Sequence, residues 1–198
     1  DMQQFPDNSI QLSQAKYVNS IQPISITPIR KTQEESTVTE EERHNLRGLV
    51  GSLQYAAVHT RPDLSSSLSL LQSQINSATV STLLTANKVL HNAKKHSDVN
   101  IKIQPIPLKD VRFVAFSDAS FASKSKPESH AGMIILATHK DITQNKSCVI
   151  SPLSWGTKKI QRIVTSTLSA ETSALSTSLD QLTWIRLYWA WLLDSKIH

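Results

Sequence analysis

Two acidic residues in this chain occupy positions from which carboxylates commonly bind metal ions. Asp118 comes near the end of an apolar run that begins at Val111, and Glu171 comes early in a long helical pattern. Between them the sequence has room for about two further strands. A carboxylate on a central strand and another on a helix packed across that sheet can hold two divalent cations against a phosphodiester. The order strand, hairpin, helix therefore predicts a metal-dependent site made by Asp118 and Glu171.

Each acid also has an ordinary structural explanation. An aspartate at a strand end often forms a turn, and a glutamate early in a helix often complements the helix dipole. The spacing places Glu171 one turn from Leu168 and Leu175, which predicts that it lies on the inner face of its helix. A charge there is costly unless a partner or a metal compensates it. Taken together and in this order, the two acids favour the functional interpretation.

The elements that position these acids follow a change of hydrophobic period after Asp98. Residues 99–103, 111–117, 132–136 and 148–155 have the composition and alternation of strands, whereas 120–130 is polar and turn-like. Residues 166–193 return to the helical period. Its apolar stripe is predicted from residues at steps of three or four: Leu168, Leu175, Leu179, Leu182, Ile185, Trp189 and Leu193.

The first half of the chain predicts a small helical subdomain. Residues 1–35 are polar and irregular, with a short strand at 9–14, a brief helix at 15–21 and an extended connection at 21–31. A capping box from Thr39 to Glu42 starts the first of three helices. Pro62 fits the first turn of the second helix, and the third covers about 81–95. The boundary with the strand-rich part falls near 97–110.

Composition limits the alternatives. The chain has 198 residues, enough for one large domain or two small ones, and its 39% hydrophobic residues suffice for a core. The sequence contains no run of about 18 apolar residues, so it predicts no membrane-spanning helix. The single cysteine, Cys148, excludes an internal disulfide and a cysteine-cluster zinc site, and its apolar neighbours predict a buried strand thiol. The net charge of +5 is a mild indication of a polyanionic partner.

Several motifs, in one order, resemble the polyprotein of copia-type long-terminal-repeat retrotransposons, and the resemblance covers nearly the whole chain. Residues 10–17 are similar to the end of that family's polymerase palm. The other motifs are Leu46-Arg-Gly-Leu-Val-Gly-Ser-Leu53, Thr60-Arg-Pro-Asp63, Phe116-Ser-Asp118-Ala-Ser, Ser129-His-Ala-Gly132, Leu153-Ser-Trp155-Gly-Thr-Lys158-Lys159 and residues 166–175.

This resemblance implies a fold and a domain order. The fold class is α/β, a ribonuclease H-like mixed sheet with a long packed helix, truncated, preceded by a small helical thumb or connection subdomain. Residues 1–35 would be the end of the polymerase palm and an extended linker, 36–100 the thumb or connection, and 101–198 the N-terminal part of a ribonuclease H-like domain. The location implied is a cytoplasmic virus-like particle, the nucleus, or both, with no membrane attachment.

The activity implied by the resemblance is Mg²⁺-dependent endonucleolytic cleavage of RNA in RNA–DNA hybrids during reverse transcription. Asp118 would be the first catalytic aspartate and Glu171 the catalytic glutamate, both binding two Mg²⁺ ions in the complete domain. The family's third carboxylate lies on a strand after the long helix, and the sequence stops at His198 before such a strand. Asp180 and Asp194 lack that strand setting, so we interpret both as structural or solvated.

The sequence opens with Asp1 rather than Met and stops soon after a helix, so we expect a fragment. With two of about four metal ligands it should bind Mg²⁺ weakly, because Mg²⁺ demands nearly octahedral oxygen coordination. The remaining polymerase and ribonuclease H segments would then be its partners, and the fragment alone would not be a competent enzyme.

Basic residues flank both acids along the chain and predict a surface for an RNA–DNA hybrid backbone. They are Lys124, Lys126, Lys158, Lys159 and Arg162. Each group is also compatible with a solvated face. The hydroxyls of Ser120, Ser123 and Ser129 offer further contacts, although a turn role is favoured for all three.

Aromatic and imidazole side chains add little chemistry to this prediction. Trp189 falls on the predicted core stripe, while Trp184 and Trp191 fall beside it, where packing is favoured over stacking on nucleic acid. The histidines show no paired metal-ligand spacing, and His130 alone lies near the predicted site.

A second hypothesis comes from a different class of protein. The chain would be a decayed or co-opted module that binds nucleic acid or protein without catalysis. The missing third carboxylate favours this hypothesis, whereas the presence of both Asp118 and Glu171 argues against long decay. An unrelated nuclease or transposase on the same fold is disfavoured by the helices that precede the first strand.

Overall fold

The structure is a computed structural model that describes residues 1–121 and 128–194. The chain divides into two compact units. The first comprises residues 1–3 and 11–101, and the second comprises residues 4–10 and the chain from Lys102 onward. None of the helices in the described residues is long and apolar enough to cross a membrane.

Five helices build the first unit, and all of them except the short second one bury apolar residues in one core. The three long ones match the predicted helices closely, because caps and periodic leucines are local signals. The helices are α1 (Ala15–Ser20), α2 (Pro28–Lys31), α3 (Glu40–His59), α4 (Ser65–Gln74) and α5 (Val80–Lys95).

The predicted capping box at the start of α3 is confirmed. The Glu42 amide donates to Thr39 Oγ1 at 3.2 Å, and the Thr39 amide donates to Glu42 Oε2 at 2.8 Å. The same carboxylate accepts two hydrogen bonds of 2.9 Å from the guanidinium of Arg30 on α2. These charge-assisted bonds lower the pKa of Glu42 from its ordinary 4.5 to about 2. One carboxylate therefore caps α3 and ties α2 to it.

Proline positions account for one confirmation and one correction. Pro62 lies in the first turn of a 3₁₀ segment, Pro62–Leu64, that leads directly into α4, as expected for a residue without an amide hydrogen. The prediction of a wholly extended connection at 21–31 was wrong at its end. Pro28 begins the short α2 there, because the Thr27 side chain caps the turn by accepting from the Arg30 amide.

A buried arginine between α3 and α4 connects the Pro62–Leu64 segment to the end of α5. The side chain of Arg61 is 2% exposed and donates to both carboxylate oxygens of Asp63, at 2.9 and 2.7 Å. Its third hydrogen bond, of 3.0 Å, goes to the carbonyl oxygen of Ala93 near the end of α5, where helical carbonyls lack intrahelical partners. The Thr60 hydroxyl donates to Gln14 Oε1 at 2.8 Å. The Thr60–Asp63 motif is thus an architectural element.

The second unit contains a three-stranded sheet and one long helix. Strands β4 (Val111–Ser120), β5 (His130–His139) and β6 (Ile150–Lys159) pair in that order, and α6 (Thr167–Asp194) packs on β4 and β5. These bounds match the predicted strands to within a few residues. The expected mixed sheet is antiparallel in its described strands. The mixed α/β architecture is therefore confirmed at this level.

The remaining strands are short. Strands β1 (Met2–Gln4), β2 (Ile10–Leu12) and β3 (Ile101–Ile103) form a separate sheet in that order. The strand predicted at 9–14 is β2, and β1 was not predicted. The prediction of a buried strand thiol was wrong, because Cys148 is only half-buried and lies before the first residue of β6.

The register of the hairpin β4–β5 is fixed at its open end by charges. Asp110, just before β4, is buried and forms an ion pair of 2.8 Å with Lys140, which follows β5. His139 Nε2 lies 3.6 Å from the same carboxylate. The hydrogen bond from Lys140 holds the pKa of Asp110 below its ordinary value. The pairing of β4 with β5 then runs without interruption from Val111–His139 to Ser120–His130.

We predict that Asp63→Asn destabilises the protein by about 2–4 kcal/mol, because it leaves the buried Arg61 guanidinium without its carboxylate. Urea unfolding followed by far-UV circular dichroism measures the change. Asp98→Asn, an exposed aspartate in the same unit, is the control and should change stability by less than about 0.5 kcal/mol. Equal effects of the two substitutions would contradict the role given to Arg61.

We also predict a pH dependence from Glu42. Because its pKa is lower in the folded protein than the ordinary 4.5, its contribution to stability is complete above about pH 4.5 and is lost as the pH falls toward about 2. Glu42→Gln should flatten this part of the stability profile, measured by urea unfolding at several pH values. Glu41→Gln removes an exposed charge from the same turn and should leave the acid-side slope in place.

Candidate active site and nucleic-acid interface

Small residues set the orientation of α6 on the sheet. Ala170, Ala174 and Ser178, at successive steps of four, are buried and line the face of the helix that meets the sheet. Farther along, Trp189 packs edge-on against Phe113 of β4, with ring centroids 5.7 Å apart. Small side chains allow the helix axis to approach the strands closely.

The predicted inner stripe of α6 was wrong in its first half. Leu168, Leu175 and Leu179 are 76%, 51% and 49% exposed. Alanine and serine occupy the buried positions instead, because a helix lying close to a sheet has no room there for leucine. The leucines do recur with the helical period, but they lie on an exposed side of α6.

Glu171 lies on the side of α6 that faces the sheet. It is half-buried and sits between the buried positions Ala170 and Ala174. It also precedes Trp189 by about five helical turns, which returns it to the same side of the helix. The contact of Trp189 with Phe113 therefore indicates that Glu171 points toward the sheet face carrying Phe113. The expected inner position holds, although not because of the leucines.

Asp118 is exposed on β4, near the end where the strand leaves the sheet. Side chains alternate between the two faces of a strand, and the pairing of β4 with β5 has no bulge. Asp118 and Phe113 are an odd number of residues apart, so their side chains leave β4 toward opposite faces. Asp118 therefore points away from the sheet face that α6 covers, whereas Glu171 points toward that face.

Two rows of polar residues cross the face that carries Asp118. In the first row, Asp118 pairs with Gly132 of β5, which pairs with Thr157 of β6. Gly132 has no side chain, and a Cβ there would make only an ordinary van der Waals contact with Thr157 Oγ1, at 3.7 Å. The row therefore places the exposed carboxylate of Asp118 two strands away from the Thr157 hydroxyl.

The second row joins Ser120, His130 and Lys159. Lys159 forms an ion pair with Glu128, and Glu128 Oε2 lies 3.8 Å from His130 Nε2. Burial lowers the pKa of His130 despite the nearby Glu128, so the imidazole is neutral at pH 7. Sequence reasoning had not identified Glu128; the only signal was an acid two residues before a strand that starts with histidine.

The predicted basic surface is divided by the structure. Lys159 shares the face of Asp118, while Lys158, the preceding residue, points to the other face and is exposed. Arg162 is exposed in the connection to α6. Lys124 and Lys126, together with Ser123, lie outside the described residues, so their predicted role stays a prediction.

The other two serines make hydrogen bonds at the ends of strands β4, β5 and β6. The Ser120 hydroxyl donates to the carbonyl oxygen of His130 at 3.5 Å. Ser129 is buried, and its carbonyl oxygen accepts from the Ile160 amide at 2.8 Å. These contacts agree with the turn role favoured from the sequence.

The last three turns of α6 carry an exposed aromatic stack. Trp184 and Tyr188 are parallel with centroids 5.5 Å apart, and Tyr188 and Trp191 follow at 5.8 Å. Trp184 and Trp191 are each about 60% exposed. Both tryptophans stack on Tyr188 of the same helix and leave most of their surface exposed.

The described residues do not form a magnesium centre by themselves. Mg²⁺ prefers six oxygen ligands in nearly octahedral geometry. Within residues 1–121 and 128–194, no group of three or more histidines, cysteines, aspartates or glutamates is arranged to hold a metal ion. Asp180 and Asp194 on α6 are exposed, as expected for solvated residues. We therefore derive no reaction step through a metal.

Comparison with known proteins gives a distant relationship. The chain is 30% identical over 140 residues to the retrovirus-related Pol polyprotein from transposon RE2 of Arabidopsis thaliana. It is 29% identical over 140 residues to the corresponding polyprotein from transposon RE1 of the same plant. Each alignment covers 70% of this chain but 9% of the relative, so the chain spans a small part of these polyproteins. No family model matches the chain, and no solved structure matches it significantly.

The orientation of α6 is testable by exchanging side-chain size at neighbouring positions. We predict that Ala174→Leu destabilises the protein by about 1–3 kcal/mol, because the added side chain has no room against the sheet. Leu175→Ala, one residue on, should cost less than about 1 kcal/mol because that leucine is half exposed. Thermal unfolding of both variants measures the difference. The reverse order of the two effects would show that the leucine stripe faces the sheet.

Proposed function

We propose that this chain is a segment of a retroelement Pol polyprotein and that its second unit belongs to a ribonuclease H-like domain. The observation that carries the proposal is the order of elements around the two acids. A strand with Asp118 near its end is followed by two antiparallel strands and then by a long helix with Glu171 near its start. The similarity to two Pol polyproteins independently favours this origin.

The reaction proposed for the polyprotein is Mg²⁺-dependent cleavage of RNA in RNA–DNA hybrids. In that reaction bound metal ions activate the attacking water and stabilise the leaving oxygen. Asp118 and Glu171 would provide oxygen ligands, and further ligands would come from residues other than those described here. The half-burial of Glu171 on the sheet-facing side of α6 supports a role beyond solvation, because a lone inner carboxylate is costly.

The hybrid would contact the face of the sheet that carries Asp118. Thr157 lies in the same row as Asp118 and Lys159 in the next row on the same face, and Arg162 follows on the connection to α6. A hydroxyl and two cations suit the sugar and phosphate groups of a nucleic-acid backbone rather than base edges. Recognition would then follow the shape of the hybrid, independent of its sequence.

A second candidate function is binding of nucleic acid without catalysis. The specific observation in its favour is that Asp118 and Glu171 start from opposite faces of the sheet, with no third ligand beside them in the described residues. In that case the basic residues would be retained for binding, and the two acids would be relics of a former site.

We predict that Asp118→Asn and Glu171→Gln each reduce cleavage of a hybrid with labelled RNA by about 100-fold or more, because each removes a metal ligand. The assay uses the natural translation product that contains this chain, with Mg²⁺ present. Asp180→Asn, an exposed acid on the same helix, is the matched control and should keep the full rate. Cleavage at the original rate by either of the first two variants would refute the assignment.

Binding of the uncleaved hybrid, measured by fluorescence anisotropy in parallel, separates the two candidates. The ribonuclease H proposal predicts that both variants still bind the hybrid while failing to cut it. Binding without cleavage by the unsubstituted protein would instead favour the non-catalytic module.

A further inference from the structure

The start of β5 holds three ionisable side chains of unequal exposure. His130, the first residue of the strand, is 6% exposed, whereas the side chains of Glu128 and Lys159 are 28% and 45% exposed. The carboxylate of Glu128 lies between the other two groups. Its Oε1 forms an ion pair with Nζ of Lys159, and its Oε2 lies 3.8 Å from Nε2 of His130. A buried base and an exposed cation therefore share one carboxylate.

The charges that act on the His130 imidazole in the described part of the chain oppose each other. Burial is the largest influence and lowers the pKa of His130 from its ordinary 6.5, while Glu128 favours the imidazolium and Lys159 disfavours it. Ser120, which pairs with His130 on β4, is neutral, and Asp118 lies in the next row of the same face. His130 therefore takes up a proton only below its ordinary range.

The net charge of the cluster depends on the protonation of His130. With a neutral imidazole, Glu128 and Lys159 compensate each other, and the three side chains carry no net charge. With an imidazolium, one carboxylate faces two cations, and the cluster becomes positive. The imidazolium is buried while the ammonium group is half exposed, so the uncompensated charge reaches the solvent at Lys159.

Lys159 presents this charge on the sheet face that carries Asp118. The strand pairings place Lys159 in the row of His130, directly beside the row of Asp118. A lysine that is already paired with a carboxylate gains less from a phosphate than an uncompensated lysine, because it must give up the existing ion pair. Protonation of His130 thus favours a phosphate contact at Lys159.

We propose that Glu128, His130 and Lys159 form a proton-dependent anion subsite, in which protonation of the buried imidazole makes the lysine available to a backbone phosphate. The inference rests on the proposed contact of the Asp118 face with an RNA–DNA hybrid. Because coupling between two binding events is reciprocal, a phosphate bound at Lys159 also favours proton uptake by His130. The cluster couples hybrid affinity to pH and takes no part in cleavage.

The coupling within the cluster is tested in the full chain without nucleic acid, by following the titration of the His130 imidazole with nuclear magnetic resonance. Lys159→Met removes the repelling charge and should raise the pKa of His130, whereas Glu128→Gln removes the attracting charge and should lower it. Lys158→Met, the adjacent lysine on the opposite face, is the matched control and should leave the titration unchanged. A His130 pKa that moves in neither of the first two variants would overturn the proposal.

The effect on Lys159 is tested by binding of an rA–dT hybrid, whose bases do not ionise in the range where histidine titrates. Fluorescence anisotropy without Mg²⁺ compares the unsubstituted chain with His130→Gln at pH values above and below the measured His130 midpoint. On acidification the unsubstituted chain should gain about two- to fivefold more affinity than the variant. Its salt dependence should steepen by about one phosphate contact. The other histidines are common to both chains, so the difference belongs to His130.

Glu128→Gln provides the complementary variant, because it leaves Lys159 uncompensated at every pH. Above the midpoint it should bind the hybrid about as tightly as the unsubstituted chain does below it. Circular dichroism at each pH checks that every variant keeps its fold. Hybrid binding with the same pH dependence in the unsubstituted chain and in His130→Gln refutes the proton-dependent subsite alone. No hybrid binding at any pH refutes the proposed function together with it.

Discussion

The close contact between α6 and the sheet is the interaction on which the second unit depends. Ala170, Ala174 and Ser178 are small enough to bring the helix against β4 and β5, and this contact fixes how the helix is rotated about its axis. The rotation turns Glu171 and Trp189 inward. Because α6 covers one face, Asp118 on the opposite face stays exposed among the described residues.

Local signals in the sequence were sufficient for most elements. The capping box at Thr39, the turn at Pro62 and the strand runs of the second unit were predicted within a few residues, because each depends on neighbours along the chain. The rotation of α6 was not predictable in the same way. Apolar side chains of α6 point in several directions, so the hydrophobic period alone does not identify the buried face. The buried positions carry alanine and serine, which are less hydrophobic than the exposed leucines.

The Thr60–Asp63 motif and the candidate site differ in how well the sequence could define them. The Thr60–Asp63 motif was recognisable, yet its meaning appeared only when Arg61 was found buried between Asp63 and the end of α5. The face of Asp118 depends on strand alternation relative to Phe113 and on which face α6 covers, and both are tertiary facts. The distant relation to retrotransposon Pol polyproteins supports the proposed origin of the chain, whereas the pairing of Asp118 with Glu171 stays a proposal.

Whether Asp118 and Glu171 act on one metal ion is the central question, and Mn²⁺ titration followed by nuclear magnetic resonance tests it without an activity assay. Paramagnetic broadening would be compared at amides beside both residues in the unsubstituted chain, Asp118→Asn and Glu171→Gln. If both carboxylates bind the same ion, either substitution alone removes the broadening at both positions. If each substitution removes only the broadening beside itself, the two acids do not share a metal ion and the proposed nuclease site is contradicted.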